Sequence, residues 1–328
     1  MDGTTLDGIR GCTRRAATAA LLAALPLGGR AQGFPARPLA LVVGYPAGGS
    51  VDLVARAIAP PLARRLGHAV QVENIAGASG TIGAVKVALA EADGHTLLLG
   101  SPSEVGINHL AGRRDRFNPQ TDLTPIALVG RQPMVLVAAP HARTRSVQDF
   151  LDRATKHPGQ ARYATAGPGT PLHLAGETIR QRAGIDIRHQ PYRGAGPMLP
   201  DLLDGRVDYA VMVLSSALPH VREGRLHAIG LTTAQRSAAL PQVPALAEHA
   251  RLGGVDLGVW FGVLGPRRLP PLVQERLAAE LRGLMKEPAL RLQLQGAGLE
   301  LMEDVAFAPF LRAEIERFRR VLAGAQAG

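Results

Sequence analysis

The chain has 328 residues, of which 46% are hydrophobic and 20% charged, a composition typical of globular proteins and a length that suits two domains. Its formal net charge is +10, but the basic residues are scattered beside acidic ones and only 4% of residues are aromatic. A nucleic-acid-binding protein would cluster its positive charge and interleave aromatic residues. No nucleic-acid partner is therefore expected.

The N-terminal segment, residues 1–31, is predicted to be a signal peptide. Arg14 and Arg15 precede a short apolar run at 16–29, and small residues precede a cut before Gln32. The run is too short for a transmembrane anchor, and no later stretch is long and apolar enough to span a bilayer. The mature protein is expected in the periplasm.

The cysteine content narrows the chemistry further. The only cysteine, Cys12, lies before the apolar run of the predicted signal, so the mature chain would contain none. This excludes disulfides, thiolate metal sites and cysteine nucleophiles from the mature protein.

After the signal, apolar runs typical of strands alternate with amphipathic helical patterns. Strands are predicted at 39–43, 96–99, 126–130, 134–138, 208–213, 227–231 and 259–264, and helices near 51–66, 80–92, 146–156, 171–183, 194–204 and 215–223. The alternation predicts an α/β fold with mostly parallel sheets covered by helices. From residue 270 onward the chain is predicted to be almost purely helical, with its aromatic residues in the core.

Two lobes are predicted without a flexible linker, because no Pro/Gly/Ser-rich joint occurs. Lobe I comprises residues 34–132 and 257–328, and lobe II comprises residues 133–256. Strands crossing near 130–134 and 255–259 would join them.

One glycine turn lies between a predicted strand and a predicted helix in the stretch YPAGGSVD (45–52). Gly48 and Gly49 allow the backbone to turn and allow a ligand to approach it closely. The helix that begins near Ser50 has unpaired amides and a positive dipole end. Together these features predict an anion site.

A second stretch, YATAGPGTPLHLAGE (163–177), repeats the strand–turn–helix pattern. Gly169 belongs to the turn, Thr170 is a plausible N-cap before a proline, and His173 lies on the first helical turn. Two such turns in different lobes predict two facing anion sites, which a ligand with two acidic ends would bridge.

Several catalytic and nucleotide-binding alternatives fail at specific residues. Ser50 stands where a phosphate-binding loop requires lysine, and Leu172 stands where a dinucleotide-binding fingerprint requires its third glycine. The hydrolase elbow Gly-x-Ser-x-Gly is absent, and the ten histidines show no metal-ligand spacing. No catalytic residue, metal or cofactor is predicted.

The chain resembles the Bug family of periplasmic solute-binding proteins, the receptors of tripartite tricarboxylate transporters. The resemblance covers nearly the whole mature chain and depends on the order and spacing of RPLALVVGYPAGGSVDLVAR (37–56), VENIAGASGTIGA (72–84), ADGHTLLLG (92–100), YATAGPGTPLHLAGE (163–177), PYRGAGPMLPDLLDGRVD (191–208), SSALPHVREGRLHAIGLTT (215–233), PQVPALAE (241–248) and WFGVLGP (260–266).

The resemblance implies a two-lobed clamshell that captures a small organic carboxylate between its lobes and delivers it to a membrane permease. It implies carboxylate capture by main-chain amides and small hydroxyls. The residues carried over for the first carboxylate are Gly48, Gly49 and Ser50, helped by Asn74 or by the turn that contains Gly77 and Ser79. Those carried over for the second are Gly169, Thr170 and His173, and the walls would be lined by Ser101, Ser103, Ser215 and Ser216, with Met212 also expected on a wall.

The sequence departs from the family pattern at three places. Met212 and Val213 stand where family members often carry a polar pair, and Glu104 stands where a small hydroxyl residue is usual. An apolar wall and an extra acid favour an aliphatic or aromatic carboxylate, or an amino acid whose ammonium meets Glu104, over a citrate-like ligand. The other interpretation of Glu104 is a solvated rim residue. Gly44 replaces a frequent proline before the first turn.

Two other functions stay open at this stage. An extracytoplasmic sensor would use the same closed lobes to dock a histidine kinase. A serine-dependent hydrolase would need a base within about 3 Å of Ser50 or Ser215, and no spacing supplies one. The partners expected are therefore a small mono- or dicarboxylate and either permease subunits or a sensor kinase, with the receptor a monomer.

Overall fold

The computed structural model describes residues 33–112, 117–302 and 304–326, so the predicted signal peptide and its cleavage site lie outside the described residues. Ten strands and nine longer helices follow one another in these ranges: β1 (Leu39–Val43), α1 (Ser50–Leu66), β2 (Val70–Asn74), α2 (Thr81–Ala88), β3 (Thr96–Gly100), β4 (Leu123–Ala138), α3 (Val147–Lys156), β5 (Arg162–Thr165), α4 (Pro171–Ala183), β6 (Arg188–Pro191), α5 (Ala195–Leu203), β7 (Tyr209–Val213), α6 (Leu214–Arg222), β8 (His227–Leu231), β9 (Gly258–Pro266), α7 (Pro271–Met285), α8 (Pro288–Gly296), β10 (Glu300–Leu301) and α9 (Phe307–Gln326).

Two sets of parallel strands form the two lobes. The first lobe contains β2, β1 and β3, and the second contains β6, β5 and β7, each paired in that order. The central strands β1 and β7 are almost fully buried, because helices cover both faces of a parallel sheet. The predicted α/β class is confirmed, but the sheet is mixed, since the strands that join the lobes are antiparallel.

The strand β4 joins the lobes. Its residues 123–133 pair with β9, and its residues 134–138 pair with β7 and β8. The sequence predicted two strands here, 126–130 and 134–138, because the polar residues Arg131 and Gln132 interrupt the apolar pattern. That prediction was wrong: the chain stays extended between the lobes, and β9 accompanies it at this position.

The C-terminal helices pack back onto the first lobe. Helix α7 contacts β4 and α1, and α9 contacts β4 as well as α4 of the second lobe. Phe307 and Phe310 of α9 lie edge-on to Trp260 of β9, so these aromatic residues belong to the core as predicted. None of the helices in the described ranges combines the length and apolarity needed to cross a membrane.

Candidate ligand-binding site between the lobes

A small cavity lies between the two lobes. The first lobe contributes Tyr45, Pro46, Gly49, Ser50, Val51, Ser101, Ser103, Val259 and Phe261, and the second contributes Ala166, Thr170, Pro171, Leu172, Gly194, Ala195, Met198, Met212, Val213 and Ser216. Among the described residues, no His, Asp, Glu, Lys or Arg lines it. Nor does any group of three His, Cys, Asp or Glu in the described ranges meet the requirements of a metal site.

The cavity continues into a wider mouth. The cavity has a volume of about 50 Å³, which is room for a few water molecules. The mouth shares Tyr45, Pro46 and Ala166 with the cavity, and both lobes line it. The mouth therefore lies beside the cavity, where a ligand can enter.

Four helices begin at this cavity: α1 and α4 follow the two glycine turns, and α5 and α6 begin beside the apolar wall. In α1 the first helical bond joins the Leu53 amide to the Gly49 carbonyl at 2.9 Å, so the Ser50 and Val51 amides have no partner within the helix. Unpaired amides and the positive ends of helix dipoles suit an anion.

Two neighbouring serines of α6 have different surroundings. The Ser216 hydroxyl is buried, lines the cavity and has no hydrogen-bond partner. The Ser215 hydroxyl instead donates to Oε1 of Gln132 at 2.9 Å. The sequence placed both serines on a wall of the cleft; the structure brings Ser216 to the cavity and turns Ser215 towards β4.

In the first glycine turn, Gly49 and Ser50 line the cavity but Gly48 does not. The Gly48 amide donates to Oδ2 of Asp52 at 2.9 Å, so it is not available to a ligand. Gly48 has a φ of +81°, which is the physical reason for glycine at this position. Although burial opposes ionisation, hydrogen bonds from Arg56 and from Gly48 lower the pKa of Asp52.

Asn74 supports this turn from outside the cavity. Its Nδ2 donates to the Tyr45 carbonyl at 3.0 Å and to Oδ1 of Asp52 at 2.9 Å, and its Oδ1 accepts from Arg56. Asn74 is therefore engaged in holding the turn, and the structure does not bring it to the lining.

In the second glycine turn, Thr170 lines the cavity but its hydroxyl caps α4. The hydroxyl donates to the Gly167 carbonyl at 2.7 Å and accepts from the His173 amide at 3.2 Å. Gly169 lies outside the lining. The His173 ring packs on His189 with centroids 4.5 Å apart, and burial lowers the pKa of His173. The histidine thus belongs to the flank of the second lobe, not to the cavity.

Gly77 and Ser79 lie at the mouth. The Ser79 hydroxyl donates to the Pro168 carbonyl at 2.9 Å, which links the two lobes directly. These two residues were predicted to help hold a carboxylate; in the structure they form the entrance.

Glu104 lies behind the lining formed by Tyr45 and Ser101. Its Oε2 accepts from the Tyr45 hydroxyl at 2.9 Å and from the Ser101 hydroxyl at 2.7 Å, and its Oε1 accepts from the Ser101 amide at 2.7 Å. Only 1% of Glu104 is exposed, so it is not a solvated rim residue, and it does not itself line the cavity. Burial raises the pKa of Glu104 to about 7, although the hydrogen bonds from Ser101 and Tyr45 oppose that shift.

Glu104 is expected to make stability depend on pH. The folded protein holds this proton more tightly than the unfolded chain, so the stabilisation is complete below about pH 4.5 and is lost as the pH rises through about 7. The loss corresponds to about 3 kcal/mol. Urea unfolding at pH 4.5 and pH 8 measures it, and Glu104→Gln is expected to abolish this part of the pH dependence. Parallel pH profiles for the two proteins would contradict the assignment.

Met212 faces two environments at once. It is fully buried, packs in the apolar core of the second lobe and also contributes to the cavity lining. The apolar wall predicted from Met212 and Val213 is present. Sequence reasoning missed Tyr45, Met198 and Phe261 among the lining residues. The signal for Tyr45 was its place as the first residue of the stretch YPAGGSVD (45–52).

Comparison with known proteins adds an independent line of evidence. The family profile described as "Tripartite tricarboxylate transporter family receptor" matches residues 54–324. The protein BugT of Bordetella pertussis (strain Tohama I) is 33% identical over 296 residues, which cover 88% of this chain and 89% of BugT.

Solved structures agree with the family match. Rpa4515 of R. palustris with adipate is 30% identical with a TM-score of 0.86, over 89% of this chain and 98% of that one. MatC of Rhodopseudomonas palustris with bound malate is 30% identical with a TM-score of 0.82, over 88% and 99% of the two chains. With the two-lobed fold and the cavity between the lobes, these matches show that the chain belongs to the tripartite tricarboxylate transporter receptor family, the Bug family of periplasmic solute-binding proteins.

Proposed function

We propose that this receptor captures a small organic carboxylate between its lobes and delivers it to the membrane permease of a tripartite tricarboxylate transporter. The observation that carries the proposal is the buried, unpartnered Ser216 hydroxyl in a cavity at which four helices begin. A carboxylate would accept from that hydroxyl and from unpaired amides such as those of Ser50 and Val51. Malate and adipate in the two related structures support a carboxylate ligand.

The body of the ligand would contact the apolar wall. Met198, Met212, Leu172 and Phe261 surround the cavity without supplying a polar atom from their side chains. Contacts with this wall favour an aliphatic or aromatic chain over one that carries polar groups along its length.

We propose that the receptor binds its ligand and does not catalyse a reaction on it. A hydrolase would need a base beside a cavity serine, and Ser215, one of the two serines considered, is bonded to Gln132 and lies outside the lining. We further propose export by the signal at 1–31, a monomeric receptor and a permease as the partner. No observation favours a sensor kinase in place of the permease.

The sheet register supports the proposed lobe boundaries, residues 34–132 with 257–328 and residues 133–256. Pro133 pairs with Gly258 at the end of the β4–β9 ladder, and Met134 pairs with Val213 of the second lobe. The chain therefore changes partners within one residue of the proposed boundary.

The two neighbouring serines provide the test. Ser216→Ala is expected to weaken carboxylate binding by about 1.5–3 kcal/mol, because a hydrogen bond to a charged group is lost. It should not reduce stability, because the hydroxyl has no partner in the unbound protein. Ser215→Ala is the control: it should cost about 1–3 kcal/mol of stability by leaving the buried Oε1 of Gln132 without a donor, and should leave affinity unchanged. Calorimetric titration and urea unfolding of both variants measure these effects, and the reverse pattern would contradict the proposed contact.

A further inference from the structure

We propose, on the basis of the proposed function, that Tyr45 and Ser101 receive a hydrogen-bond donor of the ligand, so that the preferred ligand is a monocarboxylate with a hydroxyl, primary amide or ammonium group at its other end. A symmetric dicarboxylate would be the poorer ligand. The donor end of the ligand would then contact Tyr45 and Ser101, and its carboxylate would contact other residues of the same cavity.

Both hydroxyl protons on this wall are already committed to protein acceptors. The Ser101 hydroxyl donates to Oε2 of Glu104 at 2.7 Å. The Tyr45 hydroxyl has three acceptors within reach: Oε2 of Glu104 at 2.9 Å, the Ser79 carbonyl at 3.1 Å and the Ser101 hydroxyl at 3.3 Å. Each hydroxyl has a single proton. With those protons committed, Tyr45 and Ser101 can offer a ligand only their lone pairs.

The carboxylate of Glu104, behind Tyr45 and Ser101, also favours a hydrogen-bond donor on the ligand. Glu104 is buried, and the groups that act on it are the Tyr45 hydroxyl, the Ser101 hydroxyl and backbone amides, without a cation among the described residues. The backbone of Gly80 packs against the carboxylate from the other side, where an added Cβ would lie 2.7 Å from Oε2. The nearby Asn108 amide donates to the Ala78 and Ser79 carbonyls and to Thr81.

Above about pH 7, where Glu104 is ionised, a ligand carboxylate placed against Ser101 would therefore meet a second carboxylate one hydroxyl away. Like charges at this separation in a buried site repel strongly. An ammonium would be attracted there, and a neutral hydroxyl or amide would donate without penalty. The carboxylate of the ligand is left with the helix N-termini and Ser216, which line the same cavity.

Matched ligand pairs test the inference at pH 8, where Glu104 is ionised. Glutarate is compared with its monoamide, and succinate with its monoamide, by calorimetric titration. We expect the wild-type protein to bind at least one monoamide about tenfold or more tightly than the corresponding diacid. Glu104→Gln replaces an acceptor oxygen by a donor, which releases a hydroxyl proton towards the ligand, and is expected to abolish or reverse the preference. The exposed Glu223→Gln is the matched control and should keep the wild-type ranking.

The outcomes separate the inference from the proposed function. Equal or tighter binding of the diacids by the wild-type protein, or a ranking that Glu104→Gln leaves unchanged, would overturn the inference while the receptor function stands. Failure of the wild-type protein to bind any carboxylate would overturn both. Should Glu104→Gln not fold, Tyr45→Phe removes one acceptor and is expected to reduce the monoamide preference at least about threefold; an unchanged preference would overturn the inference.

Discussion

Gly49→Val is expected to weaken carboxylate binding by at least about 100-fold, because it blocks the approach to the unpaired amides of Ser50 and Val51. Two charge-assisted hydrogen bonds, each contributing about 1.5–3 kcal/mol, account for a loss of this size. Gly49 is buried and lines the cavity, and an added Cβ would meet nothing closer than the Pro46 carbonyl at 3.6 Å, so the valine side chain extends into the ligand's space.

The fold should tolerate this change. Gly49 has φ −78° and ψ 167°, an extended conformation that valine adopts readily. Gly296→Val is the control, because Gly296 is an exposed glycine at the end of α8 with open space around its Cβ position. Calorimetric titration of both variants measures the effect. If Gly49→Val bound the ligand with undiminished affinity, the carboxylate site would not lie at the start of α1.

Met212→Asp is expected to destabilise the fold by about 4 kcal/mol or more. Met212 is fully buried in the core of the second lobe, where a new carboxylate has no cation to pair with among the described neighbours. A loss of this size lowers Tm by roughly 8 °C or more. The penalty should shrink as the pH falls towards about 4, since a protonated carboxyl is less costly to bury.

The same change should also affect the ligand, because Met212 lines the cavity as well. In whatever fraction stays folded, affinity for a carboxylate is expected to fall through repulsion between like charges. Met212→Leu conserves volume and should cost less than about 1.5 kcal/mol, with the ligand ranking retained. A Met212→Asp protein as stable as the wild type would mean that this side chain is not in the core.

Two strands that the sequence missed, β2 and β6, lie at the two edges of the sheet. β2 and β6 are half exposed and carry the sequences VQVEN and RHQP, which lack the apolar run of a central strand. The central strands β1, β3, β7 and β9 were predicted because they are almost fully buried and therefore carry apolar runs. The local sequence pattern therefore predicted these buried central strands but not the edge strands β2 and β6.

The sequence predicted which loops form the site but not which side chains face the cavity. Glycine turns that end in helices located Gly49, Ser50 and Thr170 at the cavity, because that geometry is local. Whether Ser215 or Ser216 faces the ligand depends on the rotation of α6 against β4. The ring of His173 packs on that of His189, which lies on β6, and no local pattern shows this contact. The burial of Glu104 likewise follows from packing against Tyr45 and Gly80.

The central claim is that a carboxylate binds between the lobes, and a thermal-shift screen of the mature protein tests it most directly. Aliphatic and aromatic monocarboxylates, monoamides of dicarboxylates, hydroxy acids, amino acids and dicarboxylates are compared with uncharged analogues of the same length. At 100 times its Kd, a ligand is expected to stabilise the wild-type protein by about 2.7 kcal/mol and to lose most of that effect with Gly49→Val. Stabilisation by the uncharged analogues alone, or equal stabilisation of the wild-type protein and Gly49→Val, would contradict the account.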